Sequence, residues 1–352
     1  MFFQSKLRFI FICILFVSVL PSLASGSDSL QKSKLSVLPL PTFGYTPETR
    51  VYAGAVAQFS FKMGSSLTTR SSAIKMEFQY TQNMQVIAEL SGTLFTPDEK
   101  TLINFVLHRS KFPEYYWGIG DRTPESYKTL LNNNRSWIDL SVLFRIRQKW
   151  FAGPLFRNQS RVITLPTNID PFSLNGYQRG GQLLHDSRNS ILNPRAGQYF
   201  DLQLSLYKSG VRGFRILSEY RRYIHIGKIG ILATRAAFSW LNANAYYFDL
   251  ALLGGDRWLR GYYAGRFRDR GLYVLNAEFR QPIYRRWGFA LGMGAGSVFQ
   301  QPKQVLSNQV KPALNIGIRF LADRKEKINL RIDYAAGIQG QRGFYFAFGE
   351  AF

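Results

Sequence analysis

The chain predicts an all-β protein, a transmembrane antiparallel β-barrel of the outer-membrane type. Three observations carry that expectation. The first is alternation. Leu202, Leu204 and Leu206 face one way while Asp201, Gln203, Ser205 and Tyr207 face the other, and Leu314, Ile316, Ile318 and Phe320 oppose Asn315, Gly317 and Arg319. The pattern returns in Tyr273, Leu275, Ala277 and Phe279 against Asn276, Glu278 and Arg280, and in Ile328, Leu330, Ile332 and Tyr334 against Asn329, Arg331 and Asp333. A period of two is that of a strand, and one continuous apolar face suits a wall with lipid outside and a wet or packed lumen inside. The second is length. Each run has about the 9–11 residues a tilted strand needs to cross a bilayer, and no run after the first 30 residues would make a spanning helix. The third is an aromatic content of 15%, high enough to furnish girdles at both interfaces. The C-terminus repeats the pattern. Phe344, Phe346, Phe348 and Phe352 share a face broken only by Glu350, opposite Tyr345, Ala347, Gly349 and Ala351. A core strand of a soluble β-sandwich accounts for that segment alone, but not for its recurrence upstream.

The elements follow in order. Lys6 and Arg8 precede the apolar run Phe9 to Leu20, and small residues follow in Leu23-Ala24-Ser25-Gly26. That is a signal peptide, residues 1–26, cleaved after Ala24 or Gly26; the run is too short to span a membrane. Cys13, the single cysteine, leaves with it, so the mature chain would hold no disulfide and no cysteine-ligated metal. Residues 27–34 are expected to form a short periplasmic segment. Residues 35–352 form one barrel, because no linker or composition shift divides them. Strands are expected near 35–45, 51–63, 72–81, 83–94, 100–110, 135–148, 150–163, 178–189, 197–208, 211–225, 229–240, 270–280, 286–297, 312–322, 327–337 and 343–352. That makes sixteen, or fourteen with other breaks, and an even count puts both termini on the periplasmic side. Short turns such as Thr96-Pro97-Asp98-Glu99-Lys100 then lie inside, and the longer connections 111–134, 164–177 and 241–269 outside.

The formal charge is +23. Such an excess points to nucleic acid or to anionic surfaces. The basic residues are scattered over inward strand positions and loops, with no recognition helix or finger pattern. The expectation is therefore a basic lumen and rim, with outer-membrane lipid and lipopolysaccharide as partners and no nucleic acid. The three histidines are His108, His185 and His225. His108 and Ser110 share a strand face, but no third residue is evident to orient the base, as nucleophilic catalysis requires. No metal-ligand spacing or phosphate-binding loop occurs, so neither an enzyme nor a cofactor is expected. Tyr115, Tyr116 and Trp117 are expected in the interfacial girdle.

Between the eleventh and twelfth expected strands the chain reads Leu253-Gly254-Gly255-Asp256-Arg257-Trp258-Leu259-Arg260-Gly261-Tyr262-Tyr263-Ala264-Gly265-Arg266-Phe267-Arg268-Asp269-Arg270. This resembles the sixth extracellular loop of the Omp85 superfamily, the bacterial surface antigen (D15) family of barrel assembly and translocation proteins. Its hallmark is a hydrophobic-Arg-Gly-Phe/Tyr tetrad, here Leu259, Arg260, Gly261 and Tyr262. Val211-Arg212-Gly213-Phe214 matches the same letters, but it opens an expected strand and lacks the Gly265-Arg266-Phe267 that follows the first tetrad. Ala277-Glu278-Phe279-Arg280-Gln281-Pro282 resembles the family's strand after the loop. Asp186-Ser187-Arg188-Asn189 with Asn193-Pro194-Arg195-Ala196-Gly197 resembles its mid-barrel hairpin, and residues 41–49 its first hairpin.

The resemblance implies that the loop folds into the lumen, where Arg260 meets an inward Glu278. A guanidinium can give a carboxylate two parallel hydrogen bonds. The family places Asp-x-Gly on the following strand, where this chain has Gly294-Ala295-Gly296; a weaker clamp, or recourse to Asp333, is expected. Phe352 resembles the family's C-terminal insertion signal. Residues 27–34 leave no room for the family's periplasmic domains, so client capture is expected from separate periplasmic partners. The implied function is insertion or translocation of outer-membrane components in a Gram-negative outer membrane, through a weak seam between the first and last strands. Gly343 and Gly349 would weaken that edge, or are ordinary barrel glycines. The alternative is a passive anion-favouring pore.

Overall fold

A computed structural model describes residues 35–64, 69–164, 172–191, 193–227, 230–323 and 328–352. The expected leader 1–26, with Cys13, and the segment 27–34 lie outside the described residues. Sixteen strands form the wall: β1 (Ser36–Thr46), β2 (Arg50–Phe61), β3 (Ser72–Thr81), β4 (Val86–Phe95), β5 (Thr101–Lys111), β6 (Thr129–Arg147), β7 (Trp150–Thr164), β8 (Phe172–Asp186), β9 (Gly197–Ser209), β10 (Val211–Ile226), β11 (Gly230–Leu241), β12 (Gly271–Tyr284), β13 (Trp287–Phe299), β14 (Lys311–Asp323), β15 (Ile328–Gly337) and β16 (Arg342–Phe348). Fifteen successive antiparallel ladders join them. Among the described residues no helix is long and apolar enough to cross a membrane.

The alternation sorts side chains as the sequence predicts. Leu206, Leu314 and Phe344 are 71%, 66% and 55% exposed on the outside, while Glu278 and Asp333 point inward and are buried. Holding such an apolar belt in water would cost about 25 cal/mol per Å², so its natural solvent is lipid. The lumen is packed. Phe95, Leu102, Leu143, Phe151 and Leu184 form one internal cluster. Another is built from the loop residues Leu253, Leu259, Tyr262 and Phe267 against Leu272, Val274, Val298 and Ala313 of the wall.

Several strand boundaries differ from expectation, and three of them bear on the loops and the C-terminus. β6 starts at Thr129 and β8 at Phe172, so the outer connections 111–134 and 164–177 are shorter than the pattern suggests. Asn132, Asn133 and Asn134 still pair with Thr164, Ile163 and Val162, and Ser173 pairs with Val162. Backbone pairing thus continues after the lipid-facing pattern has ended. The third boundary is the last strand, which stops at Phe348.

That stop overturns the expected four-Phe stripe. Gly349 adopts φ +78°, which few residues but glycine tolerate, and its N–H donates to the Asn329 carbonyl at 2.8 Å. The chain turns inward there. Phe352 leaves the lipid face and packs against Tyr223 and Ala233 inside the barrel. Glu350, the apparent break in the stripe, swings to Arg319 at 2.9 Å.

β1 and β16 lie side by side, and among the described residues no ladder joins them. Phe43 stacks on Phe346 with ring centroids 5.0 Å apart. The Phe346 carbonyl accepts the Tyr52 hydroxyl of β2 at 3.1 Å. Pro39 and Pro41, two residues apart on β1, remove two donors from the same edge, and the opposite edge keeps its unbroken pairing with β2.

Candidate functional site

The connection 242–270 descends into the barrel as a hairpin. Ala251–Leu253 pairs with Phe267–Asp269, and a single helical turn, Gly255–Trp258, shapes the tip. The Gly255 N–H donates to the Tyr262 carbonyl at 2.8 Å, and the Gly265 N–H to the Leu253 carbonyl at 2.9 Å. The tetrad sits at this tip. Gly261 has φ +102° and lies against the backbone of Ala336 and Gly337. Its N–H donates to the Tyr345 hydroxyl at 3.0 Å. The Tyr262 ring covers Gly337, and its hydroxyl donates to the Pro312 carbonyl at 2.7 Å. Leu259 fills the space beside Gly294. This explains the departure from Asp-x-Gly: a carboxylate side chain there would collide with Leu259.

Arg260 binds both expected partners, Glu278 of β12 through Nη2 and Asp333 of β15 through Nη1. Burial alone would pull this guanidinium down; the two carboxylates outweigh it and hold Arg260 above its usual range. The cluster extends beyond the sequence reading. Glu278 also accepts from Arg280 at 2.7 Å and Arg319 at 3.3 Å. Asp333 also accepts from Arg319 at 2.5 Å and Arg331 at 2.9 Å. Arg331 reaches Asp256 on the loop itself. Arg280 and Arg319 in turn hold the C-terminal tail, Arg280 donating to the Phe352 carbonyl at 2.9 Å and Arg319 to Glu350. Arginines 260, 280, 319 and 331 thus face carboxylates 256, 278, 333 and 350. The inward parity of Arg280, Arg319 and Arg331 was visible in the sequence; the turn that recruits Glu350 was not.

The upper part of the loop is held by its neighbours. In the connection between β5 and β6, Glu114 accepts from Arg268 at 2.8 Å. Burial pushes the Glu114 carboxyl up, but Arg268 and Arg135 outweigh it and keep it below the ordinary carboxylate range. Arg266 donates to the hydroxyl and carbonyl of Thr123 at 2.7 and 2.8 Å. Trp117 is buried edge-on to Tyr263 at 5.1 Å, Tyr115 packs on the same ring, and Tyr116 packs on Tyr247. These aromatics therefore do not belong to the interfacial girdle; they are the contact between two lumenal loops. Between β1 and β2, Glu48 accepts the Ala264 N–H at 2.5 Å. Burial pushes its carboxyl up.

The missing third partner of His108 is also present. Glu89 of β4 lies 3.1 Å from His108 Nδ1, and His108 Nε2 lies 3.0 Å from Ser110 Oγ. Arg135 donates to the same Ser110 Oγ at 3.1 Å, and Trp137 stacks on the imidazole. His108 and Ser110 are buried within this packed network.

Fold and site together define an outer-membrane-type sixteen-strand barrel with the connection 242–270 clamped inside its lumen by arginine. No family model and no curated protein matches the chain. Among solved structures it is similar to BamA from Haemophilus ducreyi lacking POTRA domains 1-3, at TM-score 0.63 and 12% identity. It is also similar to CdiB from Acinetobacter baumannii, at 0.58 and 12%, and to CdiB from Escherichia coli, at 0.58 and 10%. Each match covers 91% of this chain, and 70%, 60% and 67% of those chains respectively. The resemblance to Omp85 barrels is thus borne out in the fold.

Proposed function

We propose that this barrel resides in the outer membrane of a Gram-negative cell and assists insertion or translocation of outer-membrane components, with separate periplasmic proteins delivering clients. The observation that carries the proposal is the β1–β16 seam, where side-chain contacts stand in for a ladder. A strand edge with free backbone groups is a template for another strand. Loop and clamp then act as a rigid internal brace. The neighbours BamA and CdiB support the reading through their fold. The barrel works without bond chemistry of its own, so a fluorophosphonate probe is expected to leave Ser110 unlabelled.

The test is crosslinking in native membranes followed by co-purification and mass spectrometry. Stoichiometric periplasmic partners or trapped outer-membrane clients are expected. Cysteines at Phe43 and Phe346, where the rings stack, should lock the seam as a disulfide and abolish client trapping while the barrel stays folded. The competing reading, a passive pore favoured by the arginine-rich lumen, predicts a barrel that purifies alone and conducts anions once the loop around Arg260 is deleted.

A further inference from the structure

The wall separates charge by sign. Every Asp and Glu on a wall strand whose side chain is described, namely Glu77, Glu89, Asp139, Asp186, Asp201, Glu219, Glu278 and Asp333, shares the parity of the lumenal face. Cations do occur on the outer face, and three of them cluster. Lys208 of β9 lies directly opposite Arg212 of β10 and, on its other side, opposite Tyr177 of β8. Arg179, two residues along β8, stacks its guanidinium 4.9 Å from the Tyr177 ring, and the Lys208 ammonium lies 5.7 Å from the same ring. Asn158 of β7 is opposite Tyr177. Arg179, Lys208, Arg212 and Asn158 are exposed, and among the described residues no carboxylate pairs with the three cations.

The position of the cluster is informative. On β9 the outward column runs Phe200, Leu202, Leu204, Leu206, then Lys208, next to the outer turn at Gly210. The cations thus cap the apolar belt at its extracellular end. Like charges directly opposite across a ladder repel, and basic residues on a lipid-facing wall are costly except at the interface. A phosphate between them removes both penalties. Flanking hydroxyl and amide groups, from Tyr177 and Asn158, suit a sugar attached to that phosphate.

We propose that Arg179, Lys208 and Arg212, with Tyr177 and Asn158, form a docking site on the outer wall for a phosphorylated glycolipid of the outer leaflet, of the lipid A type. The inference rests on the outer-membrane reading. It also gives Arg212, part of the second tetrad, a role unrelated to the lumenal loop.

The test is native mass spectrometry of the full barrel in detergent, titrated separately with bisphosphorylated lipid A, monophosphorylated lipid A and phosphatidylglycerol. Lipid A should bind in preference to phosphatidylglycerol and weaken with loss of one phosphate. With each basic residue near an anionic surface contributing as usual, the triple variant R179A/K208A/R212A should bind about a hundred-fold more weakly, and K208Q alone about five-fold. R179K/R212K, which keeps the charge, should retain most of the affinity. R222A, on the outer face at the other end of β10, should change nothing. Folding of each variant is checked by heat-modifiable migration, and K208Q serves if the triple variant does not fold. Equal binding of phosphatidylglycerol, or undiminished lipid A binding by folded K208Q, would overturn the site. Density-gradient fractionation of wild-type cells tests the outer-membrane reading separately, so the two can fail independently.

Discussion

The lumenal clamp invites a charge-balance experiment. Four arginines and four carboxylates are shared in a buried cluster, so removing one member leaves an excess charge where water cannot compensate. Glu278 takes hydrogen bonds from Arg260, Arg280 and Arg319, and a fourth from Asn315. In E278Q, Arg260 keeps Asp333, and Arg319 keeps Asp333 and Glu350. Arg280 keeps the Phe352 carbonyl at 2.9 Å and, as its one remaining carboxylate among the described residues, Glu350 at 3.5 Å. Breaking a buried pair from one side costs about 3–5 kcal/mol. Because the neighbours retain partial pairing, E278Q is expected near the low end, about 3 kcal/mol, or roughly a hundred-fold in the folding equilibrium. R260Q should cost a similar amount, since it leaves the cluster negative by one. The double variant R260Q/E278Q restores neutrality, so it should cost less than the sum by about 1.5–3 kcal/mol. The assay is urea unfolding of the barrel in lipid vesicles, followed by tryptophan fluorescence and heat-modifiable migration. Additive single effects would refute the shared-charge argument, as would an E278Q barrel with unchanged stability and unchanged protease sensitivity of the 254–266 tip.

Three further outcomes are expected. Glu48 has a raised pKa in the folded barrel through burial, so its protonated form is the one the fold favours. The stability it contributes is therefore lost as pH rises from its ordinary value through the raised one. Asp256, Thr46 and the Ala264 N–H surround it, and the hydrogen-exchange protection of residues 262–266, after correction for the intrinsic pH dependence of amide exchange, should fall as pH rises above the ordinary carboxylate range, a fall that E48Q abolishes. F352A should lose the Tyr223 and Ala233 packing inside the barrel, at about 3–5 kcal/mol if that site stays open; vesicle unfolding that matches wild type would place Phe352 elsewhere. W117A should loosen the contact with Tyr263 and Arg266, read as faster proteolysis of the 112–128 connection with the β-strand spectrum unchanged.

Alternation by itself determined the strands of the wall and which side of each faces lipid, because a strand's period is local and covalent. It placed Glu278 and Asp333 inside, and family resemblance to the tetrad named Arg260 as their partner. Local pattern could not see where pairing outlasts lipid contact, so Thr129 and Phe172 were missed as strand starts. It could not see that Gly349 would take a positive φ and turn Glu350 and Phe352 inward, since alternation assumes that the strand continues. Nor could it find Glu89 beside His108, or set Trp117 against Tyr263, because these partners are distant in sequence and meet only through ladder register or loop insertion. Tertiary structure decided those contacts for one physical reason: a nearly closed wall leaves buried charge and aromatic surface nowhere to go but onto each other, and the partners available depend on how the whole chain comes around.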